Sequence, residues 1–328
     1  MGEAKFTALF EKERKKVEKI LKAALKNRKP FSLYKPSAYI MESGGKRLRP
    51  LLVLLSAKAT GGSFNKAYNA AAAVELLHNF TLVHDDIMDN ADKRRGLLTL
   101  HKKYDLSTAI LAGDSLLSVA YEFLLRDCNG NSKSIISSFT KGLVEVCEGQ
   151  SLDKEFETLK EVTIKEYLLM IKKKTAAMAE MCCAIGAELG GGSKREIKAL
   201  SDFGKNIGIA FQIQDDLLDI LGNENEFGKV PGGDLIEGKK TYLFLKAFAK
   251  ASGTDKKNLV KVVEQKGIKK DKVNYYKLLY ERLGVTDDAE KDIRRYSRKA
   301  INSLKILKNS EDRSIFTWLA DSLIRRTK

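Results

Sequence analysis

The chain has 328 residues, 43% of them hydrophobic, and its 59 Lys and Arg against 43 Asp and Glu give a formal net charge of +16. That length and apolar content support a sizeable buried core, which excludes disorder for most of the chain. Four prolines and 24 glycines exclude collagen-like, linker-like and turn-rich all-β chains, and a nearly all-helical protein is expected.

The opening segment carries an amphipathic stripe, Phe6, Leu9, Phe10, Val17, Ile20, Leu21 and Leu25, which is expected to pack on the protein's own core. No proline interrupts the chain between Pro50 and Pro231, as long helices require, because proline removes a donor and clashes with the preceding turn. Blocks near residues 66–90, 105–127, 163–189 and 194–222 are apolar on more than one face, for example Ala70-Ala71-Ala72-Ala73-Val74 and Ala176-Ala177-Met178-Ala179. Such helices belong inside a bundle. Turn clusters at Gly61-Gly62-Ser63, Asn129-Gly130-Asn131, Gly190-Gly191-Gly192 and residues 222–233 separate about ten helices. From about Gly253 the chain becomes lysine-rich and its periodic segments shorten, which predicts a peripheral layer of C-terminal helices. No linker separates that layer, so residues 1–328 are expected to form a single domain.

The four cysteines, Cys128, Cys147, Cys182 and Cys183, lack metal-ligand spacing and fit a reducing, cytoplasmic setting. No run approaches the roughly 18–20 apolar residues of a membrane span, so no stable membrane insertion is expected. The basic runs, such as Lys172-Lys173-Lys174, carry no nucleic-acid-binding motif, so no nucleic-acid partner is expected either.

Two segments repeat one acidic pattern inside apolar helices: Asp85-Asp86-Ile87-Met88-Asp89 and Asp215-Asp216-Leu217-Leu218-Asp219. On a helix the first and last Asp of each lie about 40° apart, with the middle one at about 100°. Two like charges about 4 Å apart repel by roughly 4 kcal/mol at an effective dielectric of 20, so such a triplet entering an apolar region needs cations. Oxygen donors without cysteine point to a hard ion, Mg2+, sharing its shell with a phosphorylated ligand. Cationic clusters near turns supply anion clamps: Gly44-Gly45-Lys46-Arg47-Leu48-Arg49-Pro50, Lys93-Arg94-Arg95-Gly96, Gly228-Lys229 and Gly238-Lys239-Lys240-Thr241. His78, about 20° from Asp85 in projection, reads either as a phosphate donor or as a structural histidine, and His84 and His101 as packing or local hydrogen-bonding residues.

Together, Gly44 to Pro50, Glu75-Leu76-Leu77-His78, Leu82 to Asp89, Arg94-Arg95-Gly96, Gly149-Gln150 with Asp153, Lys174-Thr175, Phe211 to Asp216, Gly228-Lys229 and Glu237 to Thr241 closely resemble the trans-isoprenyl diphosphate synthases, or polyprenyl synthetases. The likeness runs from about residue 40 to 245. It implies an all-α bundle of long helices around a central cavity, of the isoprenoid synthase type, and a homodimer. It also implies a prenyltransferase that joins isopentenyl diphosphate head-to-tail to dimethylallyl, geranyl or farnesyl diphosphate. Carried over by position, Asp85, Asp86, Asp89, Asp215, Asp216 and Asp219 would form the site for several Mg2+ ions, with Asp216 standing behind the other ligands or linked to an ion through water. Arg94, Lys174, Thr175, Gln212, Lys229 and Lys239 would bind the allylic diphosphate, and Lys46, Arg47, Arg49, His78 and Arg95 the isopentenyl diphosphate. Lys174, Thr175 and Gln212 would present oxygens to a carbocation. Leu77, Phe80 and Thr81, on one face below the first triplet, would set chain length. Phe80, about 7.5 Å down the axis, reads as the cavity floor or as core packing. A lone aromatic there beside Thr81 resembles the archaeal-type geranylgeranyl diphosphate synthases. A farnesyl or mixed-length synthase, a terpene cyclase, and a non-catalytic or regulatory subunit of a heteromeric synthase remain as alternatives. The terminus Arg325-Arg326-Thr327-Lys328 reads as a frayed end or a basic lid.

Overall fold

Alanine- and leucine-rich runs without an internal breaker become helix almost throughout the computed structural model, which describes residues 2–128, 130, 132–222 and 231–324. Lys229 and the terminus Arg325-Arg326-Thr327-Lys328 lie outside the described residues. In chain order the elements are α1 (Gly2–Leu25), α2 (Phe31–Glu42), α3 (Leu48–Ala59), α4 (Tyr68–Met88), β1 (Lys93–Arg94), β2 (Leu97–Leu98), α5 (Leu100–Lys103), α6 (Leu106–Arg126), α7 (Ser132–Thr158) and α8 (Ile164–Ile171). A π-helical turn, Lys172–Ala176, leads to α9 (Ala177–Leu189) and α10 (Lys194–Leu221). Then follow α11 (Gly233–Ile236), α12 (Tyr242–Lys250), α13 (Gly253–Glu264), α14 (Val273–Arg282), α15 (Val285–Ser303) and α16 (Ser310–Ile324).

The helix starts are written in polar residues. Asp105 accepts from the Thr108 amide at 2.8 Å to open α6, and Thr163 with Glu166 forms a reciprocal capping box that opens α8. Thr241 caps α12.

Contacts divide the chain into two compact units. The first comprises Met1–Phe139, Cys182–Leu200 and Leu307–Ser314, and the second Thr140–Met181, Ser201–Ile306 and Ile315–Lys328. In the first unit α4 is the central helix, buried continuously from Ala70 to Asn79 and packed extensively along α6. Helix α6 has an 18-residue window of mean hydropathy 1.4, apolar enough for a membrane span by length and composition, and 44% of that window is buried inside the protein. Glycines allow backbones to touch: a Cβ on Gly186 of α9 would lie 2.2 Å from the Val53 carbonyl oxygen on α3.

In the second unit the core gathers Tyr167 and Met170 of α8, Ile213 and Leu217 of α10, Tyr242 and Phe244 of α12, and Tyr280 and Ile293 of α14 and α15. The C-terminal helices thus contribute core residues there. Two local features depart from the sequence reading. The continuous helix expected over residues 163–189 is interrupted by the π turn, and a two-stranded hairpin, β1 with β2, follows α4. Hairpin formation needs left-handed backbone at both turn residues, and Arg95 and Gly96 adopt φ values of 51° and 81°.

Replacing Gly186 by Ala should push α9 off α3 and destabilise the fold by about 1–3 kcal/mol. A urea titration would read this as a lower midpoint at an unchanged m-value, and an unshifted midpoint would contradict the close approach.

Candidate active site

In the first unit, the loop before α3 and the hairpin after α4 bring a basic cluster around one histidine. Arg47 enters α3 in left-handed conformation, with φ 52°. Its Nη1 donates to Glu75 Oε1 at 2.7 Å and its Nη2 to the Met41 carbonyl at 3.2 Å. Both side chains of that pair are 3% exposed. Arg95 donates to the Gly44 carbonyl. A Cβ on Gly45, which has φ 144°, would lie 2.8 Å from Arg95 Nη1 and 3.4 Å from Arg47 Nη1. Only glycine therefore lets the two guanidinium groups converge over this loop.

His78 is buried beside this cluster. Burial first, then the charges of Arg49, Arg95, Arg94 and Arg47, hold its pKa well below the usual imidazole range. The ring is neutral at pH 7 and can donate one hydrogen bond to an anion. Burial also lowers the Arg95 guanidinium from its ordinary value, with Glu75 opposing and Arg47, Arg94 and Arg49 adding to the shift. The structure thus brings together Arg47, Arg49, Arg94, Arg95 and His78, while Lys46 is exposed on the same loop.

The first triplet closes α4. Asp85 is half-buried, Asp89 is exposed at the C-cap, and Asp86 is 1% exposed. Asp86 Oδ1 accepts from Arg94 Nε at 2.7 Å, while its Oδ2 is buried without a hydrogen-bond partner among the described residues. Burial pushes the Asp86 carboxyl up, against the pull of Arg94. An oxygen so placed, on a carboxylate pinned by an arginine, fits a hard cation. Arg94, expected on the allylic diphosphate, here orients Asp86.

In the second unit Asp216 is turned inward. Its Oδ2 accepts from the Tyr167 hydroxyl at 2.5 Å and from the Tyr242 amide at 2.9 Å, and its Oδ1 from Gln212 Nε2 at 3.1 Å. Burial, with Asp234 adding, pushes its pKa up to about 7 in spite of those donors. Both oxygens are thereby engaged with protein groups. Asp215 and Asp219 are half-buried, and Asp219 Oδ2 accepts from the Asp234 amide at 3.2 Å. Among the described residues no three His, Cys, Asp or Glu side chains form a preformed metal cage.

The π turn holds Lys174 and Thr175. Lys174 Nζ is 2.5 Å from Asp153 Oδ2, and Thr175 Oγ1 donates to Gln212 Oε1 at 2.9 Å. A Cβ on Gly149 of α7 would meet the Lys174 nitrogen at 2.1 Å, and one on Gly208 of α10 would meet Ala176 Cα at 2.6 Å. Lys239 pairs with Glu237 at 2.9 Å. On α4, Leu77 is fully buried, whereas Phe80 and Thr81 are half-buried, and Thr81 Oγ1 donates to the His78 carbonyl at 2.8 Å. Sequence reasoning gave no role to Glu75, Tyr167 or Tyr242. Glu75, three residues before His78 and so on its helix face, offered the one available signal.

Residues 31–279 match the family described as Polyprenyl synthetase. The chain belongs to that family. Geranylgeranyl diphosphate synthase of Sulfolobus acidocaldarius is 40% identical to this polyprenyl synthetase over 318 residues, 95% of this chain and 96% of that protein. The crystal structure of geranylgeranyl pyrophosphate synthetase from Pyrococcus horikoshii Ot3 is similar at a TM-score of 0.90 and 36% identity, covering 98% of this chain and 99% of that one. A polyprenyl synthase from Caulobacter crescentus CB15, crystallised with calcium and isoprenyl diphosphate, is 27% identical with a TM-score of 0.89, covering 98% of this chain and 97% of that one. The all-α fold and the assignment to the prenyltransferases follow.

The neutral His78 gives this polyprenyl synthetase a pH dependence of known sign. Below about pH 6.5 the unfolded chain protonates its histidine while the folded one does not. The unfolded state then binds more protons, so stability drops as the pH is lowered, by up to about 1.4 kcal/mol per unit. In His78→Gln that part of the slope should vanish. Urea midpoints of both proteins at pH 7.5 and 5.5 check this, and parallel losses would show that His78 takes up its proton in the fold.

Proposed function

We propose that this polyprenyl synthetase condenses isopentenyl diphosphate head-to-tail with dimethylallyl, geranyl and farnesyl diphosphates, with Mg2+, and releases geranylgeranyl diphosphate. The observation that carries the reading is the convergence of Arg47, Arg49, Arg94 and Arg95 on a neutral buried histidine beside an aspartate triplet. Such a concentration of fixed positive charge suits a diphosphate and little else of small size.

In this reading Lys46, Arg47, Arg49, His78 and Arg95 bind isopentenyl diphosphate, and Arg94, Lys174, Lys229 and Lys239 bind the allylic diphosphate. Asp85, Asp86, Asp89, Asp215 and Asp219 hold Mg2+, and Asp216 supports the second triplet from behind. When bound, the ions offset the charge that develops on the leaving diphosphate. Thr175 and Gln212 fix each other through their hydrogen bond, while Asp216 holds the Gln212 amide. Their oxygens, with the Lys174 and Thr175 carbonyls of the π turn, face a developing allylic cation better than water would, since they stabilise it without attacking. The isopentenyl double bond then closes the new C–C bond, and the released diphosphate takes the proton.

Phe80, half-buried below Asp85, ends the apolar path at twenty carbons, with Leu77 and Thr81 completing that face. A homodimer is part of the same reading. Helix α6 leaves Leu106, Ile110, Leu111 and Leu125 exposed, Leu111 by 59%, which suits contact with a second copy. Four cysteines outside any disulfide suit the cytoplasm.

Purified protein incubated with labelled isopentenyl diphosphate, each allylic primer and Mg2+ should yield a C20 product, and chelation by EDTA should abolish it. Asp85→Ala or Asp215→Ala should lower kcat by about 10²–10³ with helix content unchanged. Turnover indifferent to EDTA, or retained in both variants, would refute the assignment. Phe80→Ala should extend the product beyond C20.

A further inference from the structure

The imidazole of His84 has no part in the reaction as assigned, yet its surroundings are built. Its ring stands edge to face with that of Phe80, one turn earlier on α4, with centroids 4.6 Å apart and planes at 75°. From α6, Gly113 meets the same ring so closely that a Cβ there would lie 2.7 Å from His84 Nε2 and 3.2 Å from Cδ2. That nitrogen is buried without a hydrogen-bond partner among the described residues, and Asp114 Oδ1 is 3.7 Å away, beyond hydrogen-bond reach. A buried ring nitrogen left unpaired is costlier than carbon in the same place, so filling space alone would favour an apolar side chain.

Long side chains on a helix lean back toward its N-terminus, and residues i and i+4 share a face. His84 therefore leans over Phe80, and the bare backbone at Gly113 lets α6 come close enough to block the imidazole from swinging away. Phe80 is half-buried, so its ring is not fixed on every side by its own packing. We infer that His84 is a positioning residue for product length, holding the Phe80 ring across the path of the growing prenyl chain. This rests on Phe80 being the floor of that path.

The test compares product sizes from wild type, Phe80→Ala, His84→Ala and the double variant, with melting temperatures alongside. His84→Ala should raise the ratio of C25 to C20 product by about fivefold, the factor an aromatic edge contact of ordinary strength supplies. His84→Gln, which keeps bulk against Gly113 but no ring, should do the same and serves if the alanine variant does not fold. The double variant should match Phe80→Ala, because no ring is left to hold. A structural role alone would lower the melting temperature or slow all products alike and leave the ratio unmoved. An unmoved ratio in the His84 variants while Phe80→Ala lengthens the product, or additive effects in the double variant, would overturn the inference. A Phe80→Ala product of unchanged length would instead remove the floor, and the inference with it.

Discussion

The buried pair between Arg47 and Glu75 is the interaction on which the arginine cluster of the first unit depends. Four guanidinium groups gathered around a neutral imidazole repel one another, and burial of His78, with their charges adding, keeps a proton off the ring. Glu75, from the middle of α4, supplies negative charge inside that cluster and holds Arg47 by a 2.7 Å hydrogen bond. Removing one partner of such a buried pair costs about 3–5 kcal/mol, because the other charge is left without compensation. One carboxylate against four arginines leaves the cluster positive, so the pair that stabilises it also preserves the charge that the proposed diphosphate would meet.

The second unit solves the opposite problem. There an acid is the buried group, and donors from three elements converge on it: Tyr167 of α8, Gln212 of α10 and the Tyr242 amide at the start of α12. The pKa of Asp216 near 7 shows that burial outweighs these donors, which leaves the group close to the balance between charged and neutral forms. Through Gln212 the same acid reaches Thr175, and so the π turn. Gly149 and Gly208 allow backbone contact with that turn from two helices, leaving it little room to change its winding.

Much of this was legible in the sequence because it rested on local rules. Helices α4, α6 and α10 begin and end within a few residues of the apolar blocks, and the two aspartate triplets lie at the end of α4 and on α10, as their spacing implied. The rest depended on partners far apart in the chain. Helical projection puts Asp215, Asp216 and Asp219 in one sector, but which of them turns inward is decided by Tyr167, 49 residues earlier. The pairing of Arg47 with Glu75 spans 28 residues and so left no local mark in the sequence. The hairpin escaped notice because Arg95, a residue without turn preference, occupies a left-handed position. The π turn has no compositional signature at all, and the glycines that lie against it, Gly149 and Gly208, come from other helices, α7 and α10.

The backbone at Arg95 has a consequence for how this site can vary. Left-handed geometry is readily accepted by glycine or asparagine, neither of which carries a charge, while a cation is readily supplied by lysine, which lacks the planar fork. Two requirements of different origin, one conformational and one chemical, meet in a single codon. Drift at this position is therefore narrow: each simple exchange satisfies one demand by abandoning the other, and the turn and the pocket must be inherited together.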